Sequence, residues 1–174
     1  MSTDEQSPAV AVVGVGNELM SDDGVGPRVI DELGSASETQ PPAVTLYDAG
    51  TTAFLALEVM SGCELAVVVD AIETGAEPGT IREYRYVDGT FEEPPPEMTM
   101  HDVSFVEALD YGRGAYDLPD TVRIIGVEPA TLAAGVGLSD PVEAAVADVT
   151  DTVTEILRVR ETNTHQPSNQ GNTV

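Results

Sequence analysis

Apolar positions along the chain fall into two alternating patterns. Mostly apolar runs at Ala9–Val15, Ala43–Tyr47, Leu65–Val69 and Val122–Val127 read as buried strands, with Leu65–Val69 the most apolar and hence central. Between them the spacing turns helical: Gly24–Leu33 carries Val25, Val29, Ile30 and Leu33, and Thr52–Met60 and Val103–Leu109 read as short helices. Thr80–Val87 alternates Ile81, Tyr84 and Tyr86 with charges, the pattern of a half-exposed edge strand. The stretch from Asp70 to Thr80 is too short for a crossover helix, and a parallel neighbour needs about a dozen connecting residues, so this strand is expected to run antiparallel. Pro94, Pro95 and Pro96 make Glu92–Glu97 an extended loop. The last helix is predicted to start with Asp140 as N-cap, Pro141 at N1 and Glu143 at N3, followed by an apolar stripe from Val142 to Leu157. Strands alternating with helices predict an α/β protein, a three-layer α/β/α sandwich on a mostly parallel sheet. A single domain is expected over residues 8–161, with polar tails at 1–7 and 162–174 expected to be disordered.

Charge narrows the range of partners. The 174 residues carry 31 Asp and Glu against 7 basic side chains, all of them Arg, for a formal net charge of −24. Such a surface repels nucleic acids and anionic membranes, which are bound through clustered cations. The composition lacks Lys and Trp and resembles that of a halophilic cytosol, where molar salt shortens the Debye length to about 3 Å and screens carboxylate repulsion. No apolar run reaches the roughly 18–20 residues of a membrane span, and the acidic N-terminus is the wrong sign for a signal peptide. A soluble, cytoplasmic monomer is expected. Cys63 is the only cysteine, so no internal disulfide can form, and it reads as a small buried hydrophobe.

Candidate chemistry sits where strands end, since open α/β sheets bind ligands beyond their carboxyl edge. The first strand runs into Gly14-Val15-Gly16-Asn17-Glu18-Leu19-Met20-Ser21-Asp22-Asp23-Gly24-Val25-Gly26. This is not a dinucleotide-binding turn: the third glycine of that fingerprint would fall on Leu19, and Glu18, Asp22 and Asp23 would repel a pyrophosphate. An acidic loop suits a cation. Asp23 follows the first strand and Asp70 the third, while His101 is the one histidine outside the tail. Two carboxylates and an imidazole suit Ni, Zn, Fe or Mn. The competing reading makes Asp23 a helix cap and Asp70 a partner of loop amides. Asn17 and Asp22 are expected to shape the turn, Glu18 to face solvent and Asp48 to stand near the site.

The string Gly14-x-Gly16-Asn17-x-Leu19-x-x-Asp22-Asp23-Gly24-x-Gly26 resembles the opening motif of the nickel–iron hydrogenase maturation endopeptidases. The likeness continues through Asp48-Ala49-Gly50-Thr51, Asp70-Ala71-Ile72, Pro78-Gly79-Thr80, His101, Gly126-Val127-Glu128-Pro129 and Gly137-Leu138-Ser139, spanning about Ala9 to Leu157. This resemblance implies a phosphorylase/hydrolase-like fold with a mixed five-stranded sheet of order 2-1-3-5-4, strand 4 antiparallel. It also implies an endopeptidase that removes the C-terminal extension of a nickel-loaded hydrogenase large-subunit precursor. The nickel, carried by the precursor, would be read by Asp23, Asp70 and His101. Asp23 is one methylene shorter than the Glu that the family also uses there. An aspartic-type and a metal-assisted attack both remain open. No Ser or Cys stands beside a base, which disfavours an acyl-enzyme. Glu128 occupies a variable slot and is not expected to be catalytic. The alternative is a nickel-centre checkpoint protein that keeps the same three ligands without cutting.

Overall fold

The computed structural model describes residues 9–36, 43–93 and 105–164. In order, they form β1 (Val10–Gly14), a 3-10 turn (Ser21–Gly24), α1 (Val25–Ser35), β2 (Val44–Asp48), α2 (Ala53–Met60), β3 (Leu65–Ala71), β4 (Ile81–Val87), β5 (Thr90–Phe91), α3 (Phe105–Gly112), β6 (Thr121–Val127) and α4 (Asp140–Thr164). The sheet order is β2-β1-β3-β6-β4-β5. β1, β2, β3 and β6 are parallel, whereas β4 runs antiparallel to β6. The expected order is therefore present, but the sheet has six strands rather than five. The chain turns back through Asp88-Gly89, both in left-handed conformation, and β5 adds two residues to the outer edge of β4.

Period-two alternation splits the sheet into two cores. Ala11, Val13, Ala66, Val68, Val122 and Ile124 pack beneath α2 and α3 with Leu57, Met60 and Leu109. Val10, Val12, Val67, Val69, Ile125 and Val127 face the opposite way, under α1 and α4 with Val25, Val29, Val146 and Val149. This double cover explains why the parallel strands read as continuous apolar runs. β4 is half exposed, as its alternation predicts; its Tyr84 and Tyr86 are buried and its charges exposed.

Three boundaries differ from the expectation. β3 continues through Asp70 and Ala71 because β6 pairs with it as far as Val127, so Asp70 lies inside the strand opposite Gly126. The Glu143 amide donates to the Ser139 carbonyl at 2.9 Å, which makes Ser139, not Asp140, the N-cap of α4. The same helix runs to Thr164, past the expected start of the C-terminal tail. The Pro94–Pro96 loop, His101 and both terminal stretches, 1–8 and 165–174, lie outside the described residues.

Candidate active site

Glycines bring the strand ends and α1 into backbone contact. A Cβ on Gly14 would sit 2.5 Å from the Gly26 carbonyl oxygen, and one on Gly26 would sit 2.3 Å from that of Val15 and 2.6 Å from that of Val69. Gly16, at φ 138°, would place a Cβ 1.7 Å from the Asp23 carbonyl oxygen. The glycine spacing that imitates a phosphate loop is thus a packing device. It presses the start of α1 onto β1 and β3 and carries Asp23 to the rim beside Asp70.

Both carboxylates are almost buried, Asp23 at 9% and Asp70 at 7% exposure. Asp23 Oδ2 accepts the Asn17 amide at 2.8 Å, while Asn17 Oδ1 accepts the Leu19 amide at 3.0 Å, so Asn17 shapes the turn as expected. Burial raises the Asp23 pKa, and the Asn17 bond only partly offsets this. Asp70 is pushed well above the carboxylate range, first by burial and then by the charge of Asp23, against one hydrogen bond from the Ala71 amide. The charge of Asp23 disfavours ionisation of Asp70, and a cation at the rim would favour the ionised form of both. Among the described residues, no group of three or more His, Cys, Asp or Glu could hold a metal ion. The third expected ligand, His101, lies outside them.

A third buried acid, Asp22, has only a turn-shaping role in the sequence reading. Asp22 is fully buried and binds a loop more than a hundred residues away. Its Oδ2 accepts the Ala130 amide at 2.8 Å, the Thr131 amide at 3.1 Å and the Ser139 hydroxyl at 2.9 Å; its Oδ1 accepts the Ser139 amide at 2.7 Å. Burial works to raise its pKa, but the donors from Ser139, Thr131 and Ala130 together hold it below the usual value. Asp22 thus joins the β6–α4 loop to the turn bearing Asp23. Glu128, beyond β6, plays a parallel part. Its Oε2 accepts the Thr74 amide at 2.7 Å and hydroxyl at 2.6 Å, and its Oε1 the Gly75 amide at 3.1 Å, tying down the β3–β4 loop. Both acids were visible as motif letters, but their partners are distant in sequence and could not be read there.

The other expectations resolve simply. Glu18 is exposed. Asp48 closes a local turn by accepting the Gly50 amide at 2.8 Å. Cys63 is buried, its thiol pushed up by burial, and donates to the Val59 carbonyl. Among the described residues, no helix is long and apolar enough to cross a membrane.

A mixed α/β sheet, with Asp70 at the carboxyl end of β3 and Asp23 in the turn that follows the adjacent β1, resembles the fold of solved maturation peptidases. The chain superimposes with TM-score 0.72 on the hydrogenase maturating endopeptidase HybD from E. coli, at 27% identity, covering 87% of this chain and 93% of that one. It superimposes with TM-score 0.63 on the hydrogenase 2 maturation peptidase from Thaumarchaeota archaeon SCGC_AB-539-E09, at 33% identity over 85% of this chain and 97% of that one. The family model described as "Hydrogenase maturation protease" matches residues 27–156. The hydrogenase expression/formation protein HupM of Azotobacter chroococcum mcd 1 is 32% identical over 79% of this chain and 66% of its own length. The chain belongs to the hydrogenase maturation protease family, a family of peptidases.

Proposed function

We propose that this chain is the endopeptidase that removes the C-terminal extension of a nickel-loaded [NiFe]-hydrogenase large-subunit precursor, and that the nickel is its recognition element. The observation that carries this reading is the nearly buried pair Asp23 and Asp70 on neighbouring strands. Two acids that repel each other in a site of low polarity gain most from a divalent cation presented at the rim. A docked precursor metal would neutralise the pair, and His101, next before α3 in the chain, is the proposed third ligand. The scissile peptide is then held beside groups able to take and return a proton. The protein works as a soluble enzyme of a salt-rich cytoplasm, in which its −24 charge is screened.

The test is incubation of nickel-loaded precursor with the protein in molar salt, following the released C-terminal peptide by mass spectrometry. Cleavage that requires nickel and is lost in Asp70→Asn and in His101→Ala is the expected result. Cleavage intact in both variants refutes the site. Nickel-dependent capture of the precursor without any peptide release would identify a checkpoint protein instead.

A further inference from the structure

The β1–α1 turn and the β6–α4 loop are joined by more than Asp22. Met20 and Gly135 form an isolated parallel bridge; the Gly135 amide donates to the Leu19 carbonyl at 2.9 Å, and the Ser21 amide donates to the Gly135 carbonyl at 2.9 Å. The Ser21 hydroxyl donates to the Ala133 carbonyl at 2.9 Å, holding Ser21 at φ 52°, a left-handed conformation that serine seldom adopts. This rigid seam presents apolar side chains to solvent: Leu19 is 66% exposed, Met20 36% and Val136 87%. On a chain of net charge −24, a group of large apolar tips is the exception, and such groups mark contact surfaces.

We propose that Leu19, Met20 and Val136 form a ledge that grips the precursor polypeptide next to its scissile bond, and that it selects an apolar, non-acidic segment. This rests on the proposed peptidase function. Continuity with the site argues for this occupant: the Met20 carbonyl accepts the Asp23 amide at 3.2 Å, so the ledge adjoins the turn that carries Asp23. Charge fixes its chemistry. Glu18 and Asp23 belong to the same turn, while Arg28, the nearest basic residue in sequence, is paired with Glu32 and Glu143. An acidic segment would meet repulsion there, whereas apolar contact holds in concentrated salt.

The experiment measures initial cleavage rates against concentration of nickel-loaded precursor for the wild type, for Leu19→Ser combined with Val136→Ser, and for Tyr111→Ser. Tyr111 is the control: it is 71% exposed near the end of α3, which leads to the opposite, amino end of β6. The ledge variant is expected to raise KM about tenfold or more with kcat within twofold, and to keep the wild-type melting temperature. The control changes neither constant. An unchanged KM in the ledge variant, or a fall in kcat alone, overturns the ledge and leaves the peptidase reading standing. If the wild type itself fails to cut, that reading falls, and precursor capture decides the ledge: equal capture by wild type and variant overturns it, weaker capture by the variant supports it.

Discussion

Replacing Asp22 with alanine removes the acceptor shared by four donors: the amides of Ala130, Thr131 and Ser139 and the Ser139 hydroxyl. A fully buried donor left unpaired costs roughly 1–3 kcal/mol, but Ala130 and Thr131 are exposed and Ser139 half-buried, so water can reach these donors. That access and relief of the carboxylate's own desolvation return much of this, so a net loss of about 2–3 kcal/mol is expected. For a domain of this length about 1 kcal/mol moves the midpoint by roughly 2–4 °C, so Tm should fall by roughly 4–12 °C. Ser139→Ala removes only the 2.9 Å hydroxyl bond and should cost about 1–2 kcal/mol. Thermal denaturation followed by circular dichroism, in molar salt and across pH, measures both. The pH dependence is fixed in sign. The Asp22 pKa lies below its ordinary 3.8 in the folded state, so its stabilisation is complete above that value and is lost as pH falls through the lowered one. The gap between wild type and Asp22→Ala should therefore be constant near neutrality and close only in strong acid. A midpoint within about 2 °C of wild type at pH 7, about the shift from a single kcal/mol, would refute the reasoning.

Asp70 is expected to behave in the opposite sense. Its folded pKa is raised, so the ionised wild type loses stability as pH climbs from the ordinary 3.8 toward the raised value. Asp70→Asn should abolish cleavage yet raise the melting temperature at neutral pH, by up to about 1.4 kcal/mol or roughly 3–5 °C for each pH unit traversed, with no gain near pH 4. A neutral-pH melt below that of the wild type would contradict the repulsion between Asp23 and Asp70. Gly26→Ala should cost about 3 kcal/mol or more, because its Cβ meets backbone oxygens of Val15 and Val69 that cannot yield. Gly34→Ala, on the same helix with nothing within 4 Å of the new carbon, should instead stabilise by about 0.5–1 kcal/mol. Equal melting temperatures for those two variants would show that the glycines of the first motif are not packing devices.

The strands and helices were legible because their signals are local. Buried parallel strands announce themselves as apolar runs, and the short span between Asp70 and Thr80 dictated the antiparallel β4 from chain geometry alone. Asp70 could be singled out because it stands near the end of a strand, and Asp23 because it lies in the turn after the neighbouring strand, at the same rim. The two-residue β5 carries too little pattern to be read, and its pairing with β4 depends on the Asp88-Gly89 turn. The helix cap shifted to Ser139 because Asp22, far away in sequence, draws that residue's amide and hydroxyl and sets where α4 begins.

The sequence by itself determined the layered α/β architecture and the acidic surface, since each follows from composition or periodicity, while its family resemblance pointed to Asp23 and Asp70 as candidate rim carboxylates. Tertiary structure decided what the buried acids do. A carboxylate in water and one at the end of β3 are the same letter; burial and the neighbouring Asp23 charge make Asp70 a reluctant acid, while the donors around Asp22 and Glu128 hold those two ionised as joints. That division depends on which groups approach within hydrogen-bonding distance from remote parts of the chain.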